Sequence, residues 1–113
     1  MPQRAKTSTA DRVFGALANP TRREVLDLLL EQPRPVQDIA EHFDMARPSV
    51  SEHLKVLLDA GLVTETRNGR HRYYAVRAEP LYELRRWLTP YERSWRGRPG
   101  ALRDLLDEPE KQT

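Results

Sequence analysis

The sequence predicts a mainly α-helical domain carrying one small β-hairpin, and three observations predict it. Apolar residues recur at helical spacing through the first half of the chain and again near its end. Two short helical stretches flank the three residues "DMA" at 44–46. An Asn68-Gly69 pair separates two β-prone runs. At 113 residues the chain has length for one core and little room for a second. The expected organisation is a domain over 9–106 between disordered tails at 1–8 and 107–113.

Residues 9–18 read as the first helix, because Ala10, Val13, Phe14 and Leu17 fall at i, i+3, i+4 and i+7. Asn19 is a good N-cap for a second helix. Pro20 follows where a first-turn proline is tolerated, and Val25, Leu26, Leu29 and Leu30 supply the apolar face. "PRP" at 33–35 stops that helix. "VQDIAEHF" then offers Val36, Ile39, Ala40 and Phe43 for a short third helix. "RPSVSEHLKVLLDAG" is a fourth, with Val50, Leu54, Leu57 and Leu58 inward and Gly61 as its stop. Two short helices three residues apart, the second ending in glycine, have the outline of a helix-turn-helix.

"LVTETR" and "RHRYYAV" are the two β-prone runs, and Asn-Gly between them is the preferred pair for a type I′ turn, which needs positive φ at both central positions. A two-residue loop there pairs 67 with 70, 65 with 72 and 63 with 74. Glu65 then faces Arg72, and Val63 faces Tyr74 at the base. This register turns Arg67, Arg70 and Arg72 to one face, whereas a three-residue loop would divide them between faces. "EPLYELRRWLTPYERSW" resumes helical spacing through Leu81, Leu84, Leu88, Tyr91 and Trp95, with Pro90 expected to kink it or start a new helix. "RGRPG" at 96–100 interrupts, and Leu102, Leu105 and Leu106 form a last short apolar face.

Charge is nearly balanced, 19 Lys+Arg against 17 Asp+Glu for a net +2, but it is unevenly spread. Arg67 to Arg77 holds four arginines and a histidine without an acid, while Ala101 to Glu110 is dominated by acids. One face meeting a polyanion would show this asymmetry, and so would a merely solvated hairpin. The absence of cysteine excludes disulfides and thiolate metal sites and suits a reducing cytoplasm. "MPQRAKTS" has no apolar run for a signal peptide, and no segment approaches the roughly 18 apolar residues of a membrane span. Catalysis finds no footing. Glu41-His42 and Glu52-His53 are adjacent helix residues pointing about 100° apart, and there is no glycine-rich phosphate loop or serine elbow.

The order helix, helix, helix-turn-helix, hairpin is that of a winged helix. The stretch "ALANPTRREVLDLL…VQDIAEHFDMARPSVSEHLKVLLDAGLVTETRNGRHRYYAV" resembles the ArsR/SmtB family of dimeric bacterial transcriptional repressors over roughly residues 10–95, most specifically through "SVSEHLKVLLDAGLV". The resemblance implies that the fourth helix enters the DNA major groove, that the hairpin or wing reaches backbone or minor groove, and that first and last helices pair across a two-fold axis. An inverted-repeat operator on double-stranded DNA follows from such a homodimer.

The residues can be read for these tasks directly. Arg47, Ser49, Ser51, Glu52 and Lys55 lie off the inward stripe of the fourth helix. Arg47 suits guanine O6/N7, the serines suit phosphate or base edges, and Lys55 suits phosphate. Glu52 repels phosphate, so it either reads a cytosine amino group or holds an arginine. His53 is either a DNA contact or a half-buried histidine fixed by a neighbour. In the wing, Arg67, Asn68, Arg70, His71 and Arg72 are the candidate grip. The candidate dimer surface is Leu84, Leu88, Tyr91 and Trp95 with Val13, Phe14 and Leu17.

Similar chains run on as a continuous helix after the tryptophan, which the 97–100 break puts in question here. Many members of the family sense metals, through a cysteine pair on the third helix or through Asp and His on the last long helix. "VQDIAEHFD" holds no cysteine, "PLYELRRWLTPYERSW" holds no histidine, and His42, His53 and His71 fall in three different elements. Those ligands do not carry over, so no metal or other cofactor is expected, and no effector can be read from the residues. A winged helix that binds protein or RNA instead of DNA stays open, with steep salt dependence as the mark of phosphate contacts.

Overall fold

The computed structural model describes residues 8–96; the expected tails, apart from Ser8, and the 101–106 segment lie outside the described residues. Helix α1, Thr9–Leu17, opens on Ser8, whose hydroxyl accepts the Asp11 N–H at 3.1 Å. Helix α2, Pro20–Glu31, opens on Asn19 in the same way, its Oδ1 accepting the Arg22 N–H at 3.1 Å. The turn between them is tied from the α2 side. Arg22 donates from Nε to the Ala16 carbonyl at 2.8 Å and from Nη2 to Gly15 at 3.1 Å, and Arg23 donates to the Leu17 carbonyl. Two guanidinium groups thus satisfy the open carbonyls at the end of α1, where the helix dipole also favours positive charge.

Strand β1, Arg34–Pro35, occupies the stretch expected merely to stop α2. It pairs antiparallel with a later strand, Arg34 opposite Tyr74 and Pro35 opposite Tyr73. Proline is tolerated because the strand lies at the sheet edge, where one side needs no ladder donor. Helix α3, Val36–Phe43, and helix α4, Arg47–Asp59, follow as expected. Asp44 closes α3 with φ 53. Its N–H donates to Glu41 and the Met45 N–H to Ala40, the pairing of a Schellman stop in which an aspartate fills the place glycine usually takes. Gly61, φ 77, closes α4 likewise, with Gly61 N–H to Leu58 and Leu62 N–H to Leu57, both 2.9 Å.

Strands β2, Val63–Asn68, and β3, His71–Val76, complete a sheet of order β1-β3-β2. The last described element is helix α5, Leu81–Trp95, which runs through Pro90 as one helix, so no new helix starts there. The core gathers Val13, Val25, Leu28, Leu29, Ile39, Val50, Leu54, Leu57, Leu62, Val63 and Tyr74. On α2 the inward stripe is therefore Val25, Leu28 and Leu29, and Leu30 stands 74% exposed instead of inward. Both sets obey helical spacing; α2 is rotated by the packing of its neighbours.

The hairpin register differs from the expected one. Observed partners are Val63 with Val76, Glu65 with Tyr74, Arg67 with Arg72 and Asn68 with His71. The loop is Gly69-Arg70, not Asn68-Gly69. Gly69 takes φ 67, and neither Asn68 nor Arg70 has positive φ. Glycine first and an ordinary residue second is the arrangement of a type II′ turn, as compatible with strand twist as type I′. The shift of two residues keeps Val63, Glu65, Arg67, Arg72 and Tyr74 on one face as expected, carries Arg70 into the loop, and adds a Val63–Val76 pair at the base. The Arg77 N–H then donates to Leu62 at 2.8 Å, so the ladder reaches the end of α4.

Candidate nucleic-acid interface

Helix α4 divides cleanly along its length. Val50, Leu54 and Leu57 are buried, whereas Arg47, Ser49, Ser51, Glu52 and Lys55 are all exposed. This partition follows from the 3.6-residue period. Lys55 sits 3.9 Å from Asp59, with both side chains open to solvent, so its ammonium remains available. Neither Arg47 nor Glu52 has an ion-pair partner among the described residues. The expectation that Glu52 holds an arginine is thus not met there. His53 is half-buried at the edge of the stripe. Ala46, at the N-cap, offers no side-chain acceptor, which leaves the start of α4 without a capping side chain.

The wing concentrates cations at its end. Arg67 and Arg72 are direct partners across the ladder and share the face of Val63 and Tyr74, which packs on the helices. Arg70 is not on that face, contrary to the expected pairing, because the register shift moves it into the loop. Asn68 and His71 pair on the opposite face. All five residues are exposed. Like charges placed directly opposite oppose strand pairing, and one carboxylate moderates this. Glu65 Oε2 lies 3.2 Å from Arg72 Nη1 and accepts the Tyr74 hydroxyl, also at 3.2 Å. Burial, with Glu65 adding to it, holds the Tyr74 phenol above its usual range. Arg67 and Arg70 have no acidic partner among the described residues.

The first and last helices meet at aromatic residues. Phe14 and Trp87 stack edge to face with centroids 5.7 Å apart, and Tyr91 lies 4.9 Å from Trp87. Helix α5 has no fully buried residue. Leu84, Leu88 and Trp95 are half-buried, and Trp87 and Tyr91 are 53% and 47% exposed. Trp87 was not among the residues expected at this surface, although it lies three residues after Leu84 and four before Tyr91, on the same stripe. Val13 was expected there and is withdrawn from it, being fully buried in the protomer core. Phe14 and Leu17 stand half-buried at the α1 edge. Among the described residues no three His, Asp or Glu side chains gather closely enough to hold a metal ion, and no helix is long and apolar enough to cross a membrane.

A solvent-facing polar strip on the second helix of a helix-turn-helix, joined through one glycine to an arginine-tipped hairpin, defines a winged helix-turn-helix regulator. Residues 19–65 match the family described as "Bacterial regulatory protein, arsR family". The chain is 38% identical over 81 residues to the transcriptional repressor SdpR of Bacillus subtilis (strain 168), covering 72% of this chain and 90% of that protein. It is 36% identical over 97 residues to the HTH-type transcriptional regulator Rv2034 of Mycobacterium tuberculosis (strain ATCC 25618 / H37Rv), covering 86% and 88% respectively. The chain belongs to the arsR family of bacterial regulatory proteins, whose members are transcriptional regulators and not enzymes.

Solved structures agree. The ArsR family transcriptional regulator RHA00566 superposes with a TM-score of 0.70 at 37% identity, over 87% of this chain and 99% of that one. The homodimeric winged helix-turn-helix DNA-binding domain Mb0332 (fragment 1–100) of Mycobacterium bovis gives 0.62 at 30% identity, over 81% and 90%.

Proposed function

We propose that this chain is a cytoplasmic homodimeric repressor that binds an inverted-repeat operator on double-stranded DNA. The observation that carries the proposal is the partition of α4, an exposed row of Arg47, Ser49, Ser51 and Lys55 backed by buried Val50, Leu54 and Leu57 and continued through Gly61 into the basic wing. In this reading α4 lies in the major groove, Arg47 supplies guanine contacts and Glu52 accepts from a cytosine amino group. Arg67, Arg70 and Arg72 grip phosphate.

Dimerisation is supported by α5, whose apolar stripe has too little cover within one protomer, and by the homodimeric description of the Mb0332 domain. Two copies related by a two-fold axis present two recognition helices to successive turns of DNA, and the operator repeats accordingly. Regulation does not run through the family's metal positions, because the chain has no cysteine and α5 no histidine. A gel shift on the DNA upstream of its own coding region, repeated over a salt series, tests the proposal. A competed, sequence-preferring shift that weakens steeply with salt is expected. No such shift on that DNA or on any DNA selected from a random pool would overturn it.

A further inference from the structure

Two hollows lie side by side where the wing joins α5. The larger, about 930 Å³, is lined by Thr64, Val76, Arg77, Leu81, Tyr82 and Arg85, with Ala78 and Glu79 completing its rim. The smaller, about 230 Å³, is walled by Leu17, Leu26, Leu30, Leu62, Val76 and Leu81, with Arg23 and Asp27 at its edge. Val76 and Leu81 line both, so the two hollows adjoin along these side chains, one leucine-walled and the other cationic.

The charges at the cationic end are incompletely used. Arg85 has no carboxylate within ion-pair distance among the described residues. Arg77 is held loosely, its Nε 3.7 Å from exposed Glu79 and its Nη1 3.4 Å from the Gly61 carbonyl. At the other end Leu30 stands 74% exposed, a large apolar side chain facing solvent from within an otherwise leucine-walled hollow. At about 100° per residue, Leu81 lies beside Leu88 on α5, whereas Arg85 and Tyr82 lie roughly 60° and 120° around from Leu88 on the side away from Leu84 and Tyr91, so the cationic end faces away from the centre of that stripe.

We infer that the two hollows act as one groove that binds a small amphiphilic carboxylate, its aliphatic tail against Leu17, Leu26 and Leu30 and its carboxylate between Arg77 and Arg85. Planar guanidinium groups match a carboxylate bidentately, and the leucine wall gains from excluding water around an alkyl tail. The site is linked to α4. Arg77 bonds Leu62 through its backbone and Gly61 through its side chain, the two residues that close the recognition helix. A carboxylate that draws Arg77 away from Gly61 loosens the joint between α4 and the wing.

Octanoate, titrated calorimetrically into the full chain without DNA, tests the site independently of the operator. Saturable binding at one octanoate per chain is expected. Arg85→Gln should weaken it about tenfold by removing a charge-assisted contact, and Leu30→Asp about tenfold by placing charge against the tail. Octan-1-ol should bind at least about tenfold more weakly than octanoate. Both variants lie at exposed or partly exposed positions, and circular dichroism verifies that they fold. The inference is overturned if octanoate gives no saturable binding, if both variants bind it as tightly as the parent, or if octan-1-ol matches it. At saturating octanoate, operator affinity should fall severalfold; an unchanged affinity refutes the link to α4.

Discussion

Replacing Arg67 with alanine should move DNA binding and stability in opposite directions. Arg67 lies directly opposite Arg72, shares its face, and has no acidic partner among the described residues. If each protomer spends Arg67 on one phosphate, the dimer loses two contacts. The slope of log K against log salt then becomes shallower by about 1.8. Between 50 and 200 mM salt, a fourfold change raised to the power 1.8, the parent should lose about 12-fold more affinity than the variant. Folding responds the other way, because the substitution removes a like-charge cross-strand pair. The pair is exposed, and Glu65 at 3.2 Å already offsets part of the Arg72 charge. Relief at the low end of the range for such pairs, about 0.3 kcal/mol, corresponds to about 1–2 °C in Tm. Fluorescence anisotropy on a selected operator at several salt concentrations reads the first effect, and thermal melting at fixed protein concentration reads the second. A slope unchanged from the parent, with Tm equal or higher, would refute the phosphate role and leave Arg67 as ordinary surface.

Other perturbations separate the remaining parts. Arg47→Ala should relax sequence choice by about 1–3 kcal/mol at one position in each half-site while leaving the salt slope nearly intact, as a binding series over single-base operator variants would record. Trp87→Ala combined with Tyr91→Ala should shift sedimentation toward monomer and weaken operator binding in parallel; an undisturbed dimer would place the interface elsewhere than on this stripe. Tyr74 favours its neutral form in the fold, so its contribution to stability is complete below about pH 10 and is lost as pH rises through its elevated value. Urea denaturation across that alkaline range should therefore show a decline that Tyr74→Phe flattens, at a cost near neutrality of about 1 kcal/mol for the lost hydrogen bond to Glu65.

Much of the architecture was legible because it rests on local patterns. Asn19 and Gly61 mark helix ends through their own side-chain and backbone chemistry, and Val50, Leu54 and Leu57 mark an inward face through period alone. The row of Arg47, Ser49, Ser51 and Lys55 follows from that face by subtraction. Where two local solutions were equally good, the sequence could not choose. Asn68-Gly69 supports a type I′ turn and Gly69-Arg70 a type II′ turn, and only packing Val63 against Val76 favours the second. Leu30 and Leu28 both fit a helical stripe, and the neighbours of α2 selected Leu28. Asp44 in a left-handed conformation gave no glycine signal. Trp87 did carry a signal, its spacing from Leu84 and Tyr91, that the expected surface passed over.

The sequence by itself determined the helix-turn-helix, the presence of a wing and the strip that α4 turns to solvent, because helical period, caps and turn residues act over a few neighbours. Only the tertiary structure decided that Arg67 and Arg72 stand opposite one another with Arg70 at the tip, that Val13 is core while Trp87 is surface, and that a hollow lined by Arg77 and Arg85 adjoins a leucine-walled one near the α4 stop. Those facts depend on contacts between residues far apart in the chain, where the burial of apolar surface chooses among local arrangements of nearly equal energy.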